Sequence, residues 1–588
     1  MPPLPSHEST RRVAPPPSPD APDLSPGAPP QSDAAADRAA RADLAHGTEE
    51  SVAAQLGDSA ALNQAASLSP FAPLSVPVFR MLWLTWVAAN TCMWMNDVAA
   101  AWLMTTLTTS PVLVALVQTA STLPVFLLGL PSGALADILD RRRWLVATQF
   151  WLAATAIALC AAIMLDMMTA PLLLILTFMN GIGLALRWPV FAAIVPELVP
   201  RAQLPAALGL NGISMNASRI IGPLTAGVLI ASAGTVWVFV LNAVLSLVSG
   251  FVVLRWRRTH TPNPLGREKL MGAMRVGLQF VRQSQRMRAV LTRVAIFFFH
   301  STALLALLPL LARNLQGGGA GTFTLLLAAM GTGAIVAVLL MPRLRQAFGR
   351  DQLVLRGTVL QSVATAIMAF APNTWVAVPA MFFGGMAWIT VANSLSVSAQ
   401  LALPDWVRAR GMSTFQMAIM GASAIGAALW GQVATVSTLH TSLSVAAVSG
   451  TVMMLAALRW VTDVTGDDDV SPAMTGWAAA PPTQTPDEEG RVVTTVEYLI
   501  DPARAAAFHT VMEQTRRARL GQGATAWALL HDIAAPNRYI EHIVDPSWTD
   551  HLRRFNRATA ADMARRERRL AFHVGDVPPR VTRYVVRH

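Results

Sequence analysis

Four ionisable side chains lie inside long apolar stretches of this chain: Asp97, Arg187, Arg219 and His300. Inside a bilayer each such group costs about 2.5–3.5 kcal/mol by insertion scales, so it faces a bundle interior or an aqueous cavity. Asn90 precedes Asp97 by seven residues, which places the two on one helical face with Met93 and Trp94 between them. Asn393 adds a further polar group within an apolar run. These types suit proton uptake by a carboxyl, charge compensation by arginine and contact with the polar part of a solute. With a rise of about 1.5 Å per residue, Asp97 sits roughly 8 Å outside the midplane, Arg219 and His300 close to it, and Arg187 roughly 8 Å inside it. Depth therefore makes Asp97 and Arg187 poor direct partners and Asp97 with Arg219 the better pair. Two roles are open to that pair: Asp97 takes up a proton or answers to substrate while Arg219 tunes it, or a permanently charged pair fixes helix packing. His300 follows Phe297-Phe-Phe299; it either titrates near neutral pH or satisfies its own helix. Cys92 and Cys160 lie in apolar runs, which disfavours a disulfide framework or a metal site. No phosphate-cradling Gly-x-x-x-x-Gly-Lys-Ser/Thr loop is present, and the single lysine, Lys269, lies in a loop without one. The expectation is no metal, no cofactor and no catalytic residue.

The elements that hold these groups follow from hydropathy. The chain is 53% hydrophobic and only 13% charged, against roughly 25% charged in soluble domains. Twelve apolar runs of spanning length occur near 79–104, 111–136, 144–165, 171–193, 206–231, 235–255, 292–312, 321–341, 352–371, 374–398, 410–432 and 441–460. Arginine-rich links such as Arg141–Arg143 and Arg343–Arg350 alternate with arginine-poor ones such as Asp166–Pro171 and Pro372–Asn373. That alternation predicts a multi-pass protein of the cell (inner) membrane with both termini cytoplasmic. It also accounts for the net charge of +11 without nucleic acid as a partner.

The predicted fold class is an all-α polytopic membrane protein, twelve transmembrane helices in two six-helix halves, with a small C-terminal α+β ferredoxin-like domain. The divisions are 1–70, a disordered cytoplasmic tail rich in Pro, Ala, Ser and Asp; 71–258, the N-terminal half; 259–291, a central cytoplasmic loop; 292–462, the C-terminal half; 463–490, a linker; and 491–588, the soluble domain. No apolar signal core precedes Phe71, so that tail is expected to stay in the cytoplasm. Within the central loop, Met271–Val281 has helical apolar spacing, and a helix along the membrane surface is expected. The last division reads strand Arg491–Leu499, helix Pro502–Leu520, strands Thr525–His531 and Arg538–Val544, helix Ser547–Leu570 and strand Arg580–Val586, the ferredoxin-like order.

The two halves echo one another. Pro200, Gly222 and Gly227 recur at the same offsets as Pro404, Gly426 and Gly431. A duplicated six-helix unit is the mark of an alternating-access carrier, with its site near the midplane between the halves. In the fifth run Gly209, Ser218, Gly222, Pro223 and Gly227 allow close backbone approach and a bend. Trp188 and Trp388 are expected to pack.

The loop Gly133-x-x-x-Asp137-x-x-Asp140-Arg141-Arg142 resembles the signature between spans 2 and 3 of the major facilitator superfamily, departing from it at Ile138 and Asp140. The fifth run is similar to that superfamily's antiporter signature, with Ser218 and Ala226 where glycines are usual. Pro196–Ala207, Asn216–Pro223 and Asp405–Arg410 resemble its branch of transmembrane secretion effectors, relatives of the enterobactin exporter. The resemblance implies a transporter using alternating access, its cargo a small organic molecule such as a siderophore, drug or metabolite, moved by proton-coupled efflux. It also implies a gating role for Gly133, Asp137, Arg141 and Arg142, with Asp137 accepting hydrogen bonds from the eleventh span. The C-terminal part resembles ferredoxin-like domains of the antibiotic-biosynthesis-monooxygenase type, which implies dimerisation through that domain. There His531, Trp527, Tyr539 and Trp548 are either pocket or core residues. The partners expected are a small-molecule substrate, a proton and the lipid bilayer. The competing class is a membrane-anchored enzyme or sensor acting through the C-terminal domain.

Overall fold

The structure, a computed structural model, describes residues 71–460 and 490–586 apart from 139, 201–202, 257–269 and 556. The expected N-terminal tail and most of the 463–490 linker lie outside the described residues. The N-terminal half contains α1 (Pro77–Leu107), α2 (Pro111–Ile138), α3 (Arg141–Met164), α4 (Ala170–Leu198), α5 (Leu204–Ser232) and α6 (Thr235–Arg255). A short helix, α7 (Leu270–Gln283), leads to α8 (Gln285–Asn314), α9 (Ala320–Ala347), α10 (Arg350–Phe370), α11 (Thr374–Leu401), α12 (Asp405–Val436) and α13 (Leu439–Trp460).

Local chemistry sets several of the starts. Asp140 accepts from Arg143 N at 2.8 Å, Ser284 from Met287 N at 3.2 Å and Asn373 from Val376 N at 3.2 Å, each satisfying an orphan donor of a first turn. The aspartate that departs from the superfamily pattern is therefore the cap of α3. The bend after α2 is also shorter than the sequence implies, because the helix continues through Gly133 and Asp137 to Ile138.

Among the described residues eleven helices are long and apolar enough to cross a membrane. The twelfth expected span is present as a helix but falls short of that apolarity. Helix α1 is long enough at 31 residues, but Asn90, Asn96, Asp97 and its threonines keep it from matching the others in apolarity. A polar stripe is the reason.

The internal repeat is realised in the packing. A Cβ built on Gly222 of α5 would stand 2.6 Å from Trp94 Cβ and 2.9 Å from the Thr91 carbonyl of α1, and one on Gly426 of α12 would strike the Phe299 carbonyl of α8. Gly227 faces Thr324 of α9, while Gly431 faces Ala115 and Val112 of α2. Each glycine pair thus seats its helix once inside its own half and once against the other. Gly209 has open space around it, so it is no close-packing position.

The apolar cores are arranged asymmetrically. At the arginine-poor end one continuous core draws on both halves, including Trp102 and Leu103 of α1, Ala226 of α5, Leu307 of α8 and Phe323 of α9. At the arginine-rich end there are two cores. One, with Phe79, Trp86, Leu145 and Val190, belongs to the N-terminal half; the other, with Val294, Phe298, Leu395 and Phe415, belongs to the C-terminal half.

The C-terminal domain is a four-stranded antiparallel sheet in the order β2-β3-β1-β4, from β1 (Val492–Leu499), β2 (Ala526–His531), β3 (Arg538–Asp545) and β4 (Val581–Val585). Helix α14 (Ala505–Gly521) follows β1. The helix expected over Ser547–Leu570 is two helices, α15 (Trp548–Phe555) and α16 (Ala560–Leu570), because Thr559 and Asp562 form a capping box that starts a new one. Helix α7 forms where a helix was expected and packs one face against protein. Val276 and Val281 are buried, Gly277 lies against Arg410 of α12, and Gln279 Nε2 donates to the Ala524 carbonyl at 2.8 Å. The helix is wedged between α12 and the C-terminal domain.

Under the sheet, the fully buried Glu541 accepts from Tyr498 Oη at 3.0 Å, Arg519 Nε at 3.2 Å and Trp527 Nε1 at 3.1 Å. Burial alone would push its carboxyl up; the Arg519 and Arg569 guanidiniums and these hydrogen bonds outweigh burial and take it down to about 2. A depressed folded-state value means the stabilisation is present above the ordinary value of 4.5 and disappears as pH falls toward 2. Glu541→Gln should cost the domain about 3–5 kcal/mol at pH 7, the range for breaking a buried pair. Hydrogen exchange of the β3 amides in the full chain would show the loss, and the gap from wild type should close toward pH 2.

Candidate functional site

Trp86, Asn90, Trp94 and Asp97 follow one another at helical intervals and form a ladder along one face of α1. Each rung meets a different partner. Arg187 of α4, 1% exposed, stands over the Trp86 ring at 5.2 Å and donates from Nη2 to Asn90 Oδ1 at 3.3 Å. Arg219 of α5 stands over the Trp94 ring at 5.3 Å and over Trp388 of α11, in the opposite half, at 4.4 Å. Phe298 of α8 meets Trp388 edge-on at 5.6 Å and fixes its tilt. Asp97 faces Ser121 of α2, and its Oδ1 is buried without a hydrogen-bond partner.

Arg187 does not meet Asp97, as expected, but neither does Arg219. Among the described residues no ion pair joins Asp97 to either arginine, and both guanidiniums lie on indole faces instead. A desolvated cation–π contact is worth about 2 kcal/mol or more, close to the insertion cost of one arginine. Aromatic faces thus replace the expected carboxylate. Trp388, expected to pack, is half of this clasp, and Trp86 was missed altogether. The signal for both was present: tryptophans inside spans at the depth of an arginine.

The remaining candidates distribute around this ladder. Ser218 accepts from Thr91 Oγ1 at 3.1 Å and donates to the Val87 carbonyl at 3.2 Å, so the hydroxyl that stands where glycine is usual ties α5 to α1. Gly222 permits the contact with Trp94, and Pro223 lies next to it inside α5. Asn393 is half-buried on α11. His300 is not brought to the site. Its Nδ1 meets the Ile296 carbonyl of its own helix at 2.7 Å, and its ring lies against Phe299 and Trp430. With Ser301, Thr358 and Gln361 it lines a pocket between α8, α10 and α13. Arg142 reaches the Leu254 carbonyl at the end of α6, which ties it within its own half. The side chain of Asp137 lies outside the described residues. A second polar chain, Asn96 Oδ1 to Asn242 Nδ2 at 3.4 Å and on to Ser246, was also missed; amides in mid-span were its signal.

In the C-terminal domain two of the four pocket candidates, His531 and Tyr539, meet, and Trp527 and Trp548 have other partners. Trp527 is bonded to Glu541, His531 stacks on Tyr539 at 4.5 Å, and Trp548 stacks on His551 at 5.2 Å.

Two helical halves packed across α2–α12 and α5–α9, with a polar ladder on α1 that reaches the second half at Trp388, are the architecture of the major facilitator type. The profile of the transmembrane secretion effector family matches residues 68–588, and the chain belongs to that family. It is similar to the Staphyloferrin A transporter of Staphylococcus aureus (strain NCTC 8325 / PS 47), 22% identical over 47% of this chain and 70% of the relative. It is also similar to the enterobactin exporter EntS of Salmonella typhimurium (strain LT2), 26% identical over 53% of this chain and 75% of the relative. Among solved structures it resembles the nucleoside transporter NupG, with a TM-score of 0.52 at 13% identity over 66% of this chain and 99% of that one. A bacterial homologue of the human lysosomal transporter Spinster, inward-facing and occupied, gives a TM-score of 0.52 at 14% identity over 66% and 97%. The relatives and structural neighbours are transporters, so the chain is a multi-pass membrane transporter and not an enzyme.

Proposed function

We propose that this chain exports a small organic molecule of siderophore type across the cell membrane, driven by protons moving the other way. The observation that carries the reading is the asymmetry of the cores. One shared core closes the arginine-poor end, while two separate cores at the arginine-rich end leave the halves free to part there. With arginine-rich loops cytoplasmic, this is a state sealed toward the outside, one of the two that alternating access requires. Closure at the outer end is reinforced by Trp102 stacked on Phe323 at 5.3 Å and by Arg313 reaching the Thr105 carbonyl, both linking α1 to the C-terminal half. Helix α1 counts as the twelfth span in this reading, its polar ladder turned to the interior, which places both termini in the cytoplasm.

Asp97 supplies the coupling group. It is the acidic member of the ladder, it has no cation against it among the described residues, and its hydroxyl neighbour Ser121 belongs to α2, which also packs against the opposite half. Rocking of the halves changes the water contact of such a carboxyl and therefore its proton affinity. The export reading takes its cargo class from the relatives named above. Purified protein in proteoliposomes should accumulate enterobactin about tenfold against its own gradient under an imposed pH gradient of one unit and not without it, a one-unit gradient being worth about 1.4 kcal/mol per proton exchanged. Transport indifferent to the gradient would remove proton coupling, and no transport of enterobactin or other siderophores would remove the cargo class.

A further inference from the structure

We propose that Arg219, Trp94 and Trp388 form the contact site for an organic acid, the guanidinium taking its anionic group and the two indoles its planar apolar body. The proposal rests on the carrier reading above and narrows its substrate class to a planar organic acid.

Three observations converge on these residues. A guanidinium offers five N–H donors in a fixed fork that matches a carboxylate. Among the described residues Arg219 has no hydrogen-bond acceptor and no ion pair; its contacts are two ring faces, and its Nε is buried without a partner. The donors are ready for a ligand that the protein itself does not supply.

Charge points the same way. Along the ladder the described ionisable groups are two cations, Arg187 and Arg219, against one acid, Asp97, which faces Ser121. Both arginines have a buried Nε without a partner, but Arg187 has Asn90 as an acceptor, so among the described residues Arg219 is the one of the two with no acceptor at all. An interior with an excess positive charge favours anionic solutes over neutral or cationic ones of the same shape.

Position supplies the third argument. Trp94 and Arg219 belong to one half and Trp388 to the other. A solute seated here touches both halves at once, as a carrier site between rocking halves must. Trp388 is held by Phe298 and Trp94 by the close approach of Gly222, so both rings are fixed beside the guanidinium.

The full-length protein in detergent, titrated by tryptophan fluorescence with benzoate, benzamide and acetate, tests the site. Benzoate should bind about tenfold more tightly than benzamide, its neutral counterpart, as a charge-assisted bidentate contact implies. It should also bind about tenfold more tightly than acetate, which lacks the ring. Arg219→Gln should bring benzoate down to benzamide, Arg219→Lys should keep part of the preference, and Trp388→Leu should bring benzoate down to acetate. Equal binding of benzoate and benzamide by the wild-type protein overturns the proposal, and needs no variant to fold. Acetate binding as well as benzoate overturns the planar body and leaves a small-anion site. The two readings separate cleanly: benzoate preference without transport in proteoliposomes removes the carrier reading and keeps the site, whereas siderophore transport without benzoate preference does the reverse.

Discussion

Asp97→Asn should lower gradient-driven transport by about thirtyfold or more while leaving substrate exchange at equal pH within about threefold of wild type, a loss of about 2 kcal/mol or more confined to the coupled mode. The substitution keeps the size and polarity of the side chain and removes only its capacity to lose a proton. Because no cation contacts Asp97 and Ser121 is a neutral neighbour, the Asn variant leaves no buried charge stranded, and the fold should survive. That distinguishes it from a substitution in a buried ion pair, where the remaining partner would destabilise the bundle by about 3–5 kcal/mol. Exchange and net transport measured on the same proteoliposomes separate the outcomes. An Asn variant that still answers to the pH gradient moves coupling elsewhere; one that loses exchange as well makes Asp97 a structural or substrate-contact residue.

The second large effect is structural. Gly385 of α11 and Gly333 of α9 face each other's helices reciprocally: a Cβ on Gly385 would strike the Met330 carbonyl and one on Gly333 the Phe382 carbonyl. The obstacle in both cases is backbone, which cannot rotate out of the way. Overpacking costs typically about 1–3 kcal/mol where side chains can yield, and here the whole helix pair must separate. Gly385→Val should therefore abolish a monodisperse peak in size-exclusion chromatography, and Gly385→Ala should lower the apparent melting temperature by several degrees. Gly209→Ala is the control. Nothing lies within 4 Å of its added Cβ, and removing a helical glycine gains about 0.8–1 kcal/mol in propensity, so its melting temperature should hold or rise. Equal losses at Gly385 and Gly209 would refute the packing account.

Much of this protein was legible in the sequence, for reasons that can be traced to particular residues. Apolar runs and arginine-bearing links report helix ends because hydropathy is a local property, and the offsets from Pro200 to Gly227 and from Pro404 to Gly431 reported a repeat that the glycine contacts realise. The succession of strands along the C-terminal domain followed from alternation and turns. The break within the expected Ser547–Leu570 helix was also written in Thr559-Ala-Ala-Asp562, a capping pattern that helical spacing on either side concealed.

The partners of the buried charges were not legible. Position along a helix gives depth, one coordinate of three; the rotation of each helix and the identity of its neighbours are set by packing of the whole bundle. Depth put Arg219 near Asp97, and rotation turned it instead onto Trp94 and, across the seam, Trp388. The same limit left His300 a candidate until its Nδ1 was found against its own helix. The sequence by itself determined which polar groups lie in the spans and at what height; only the tertiary structure decided which of them meet, because contacts between helices depend on orientations that no single helix encodes.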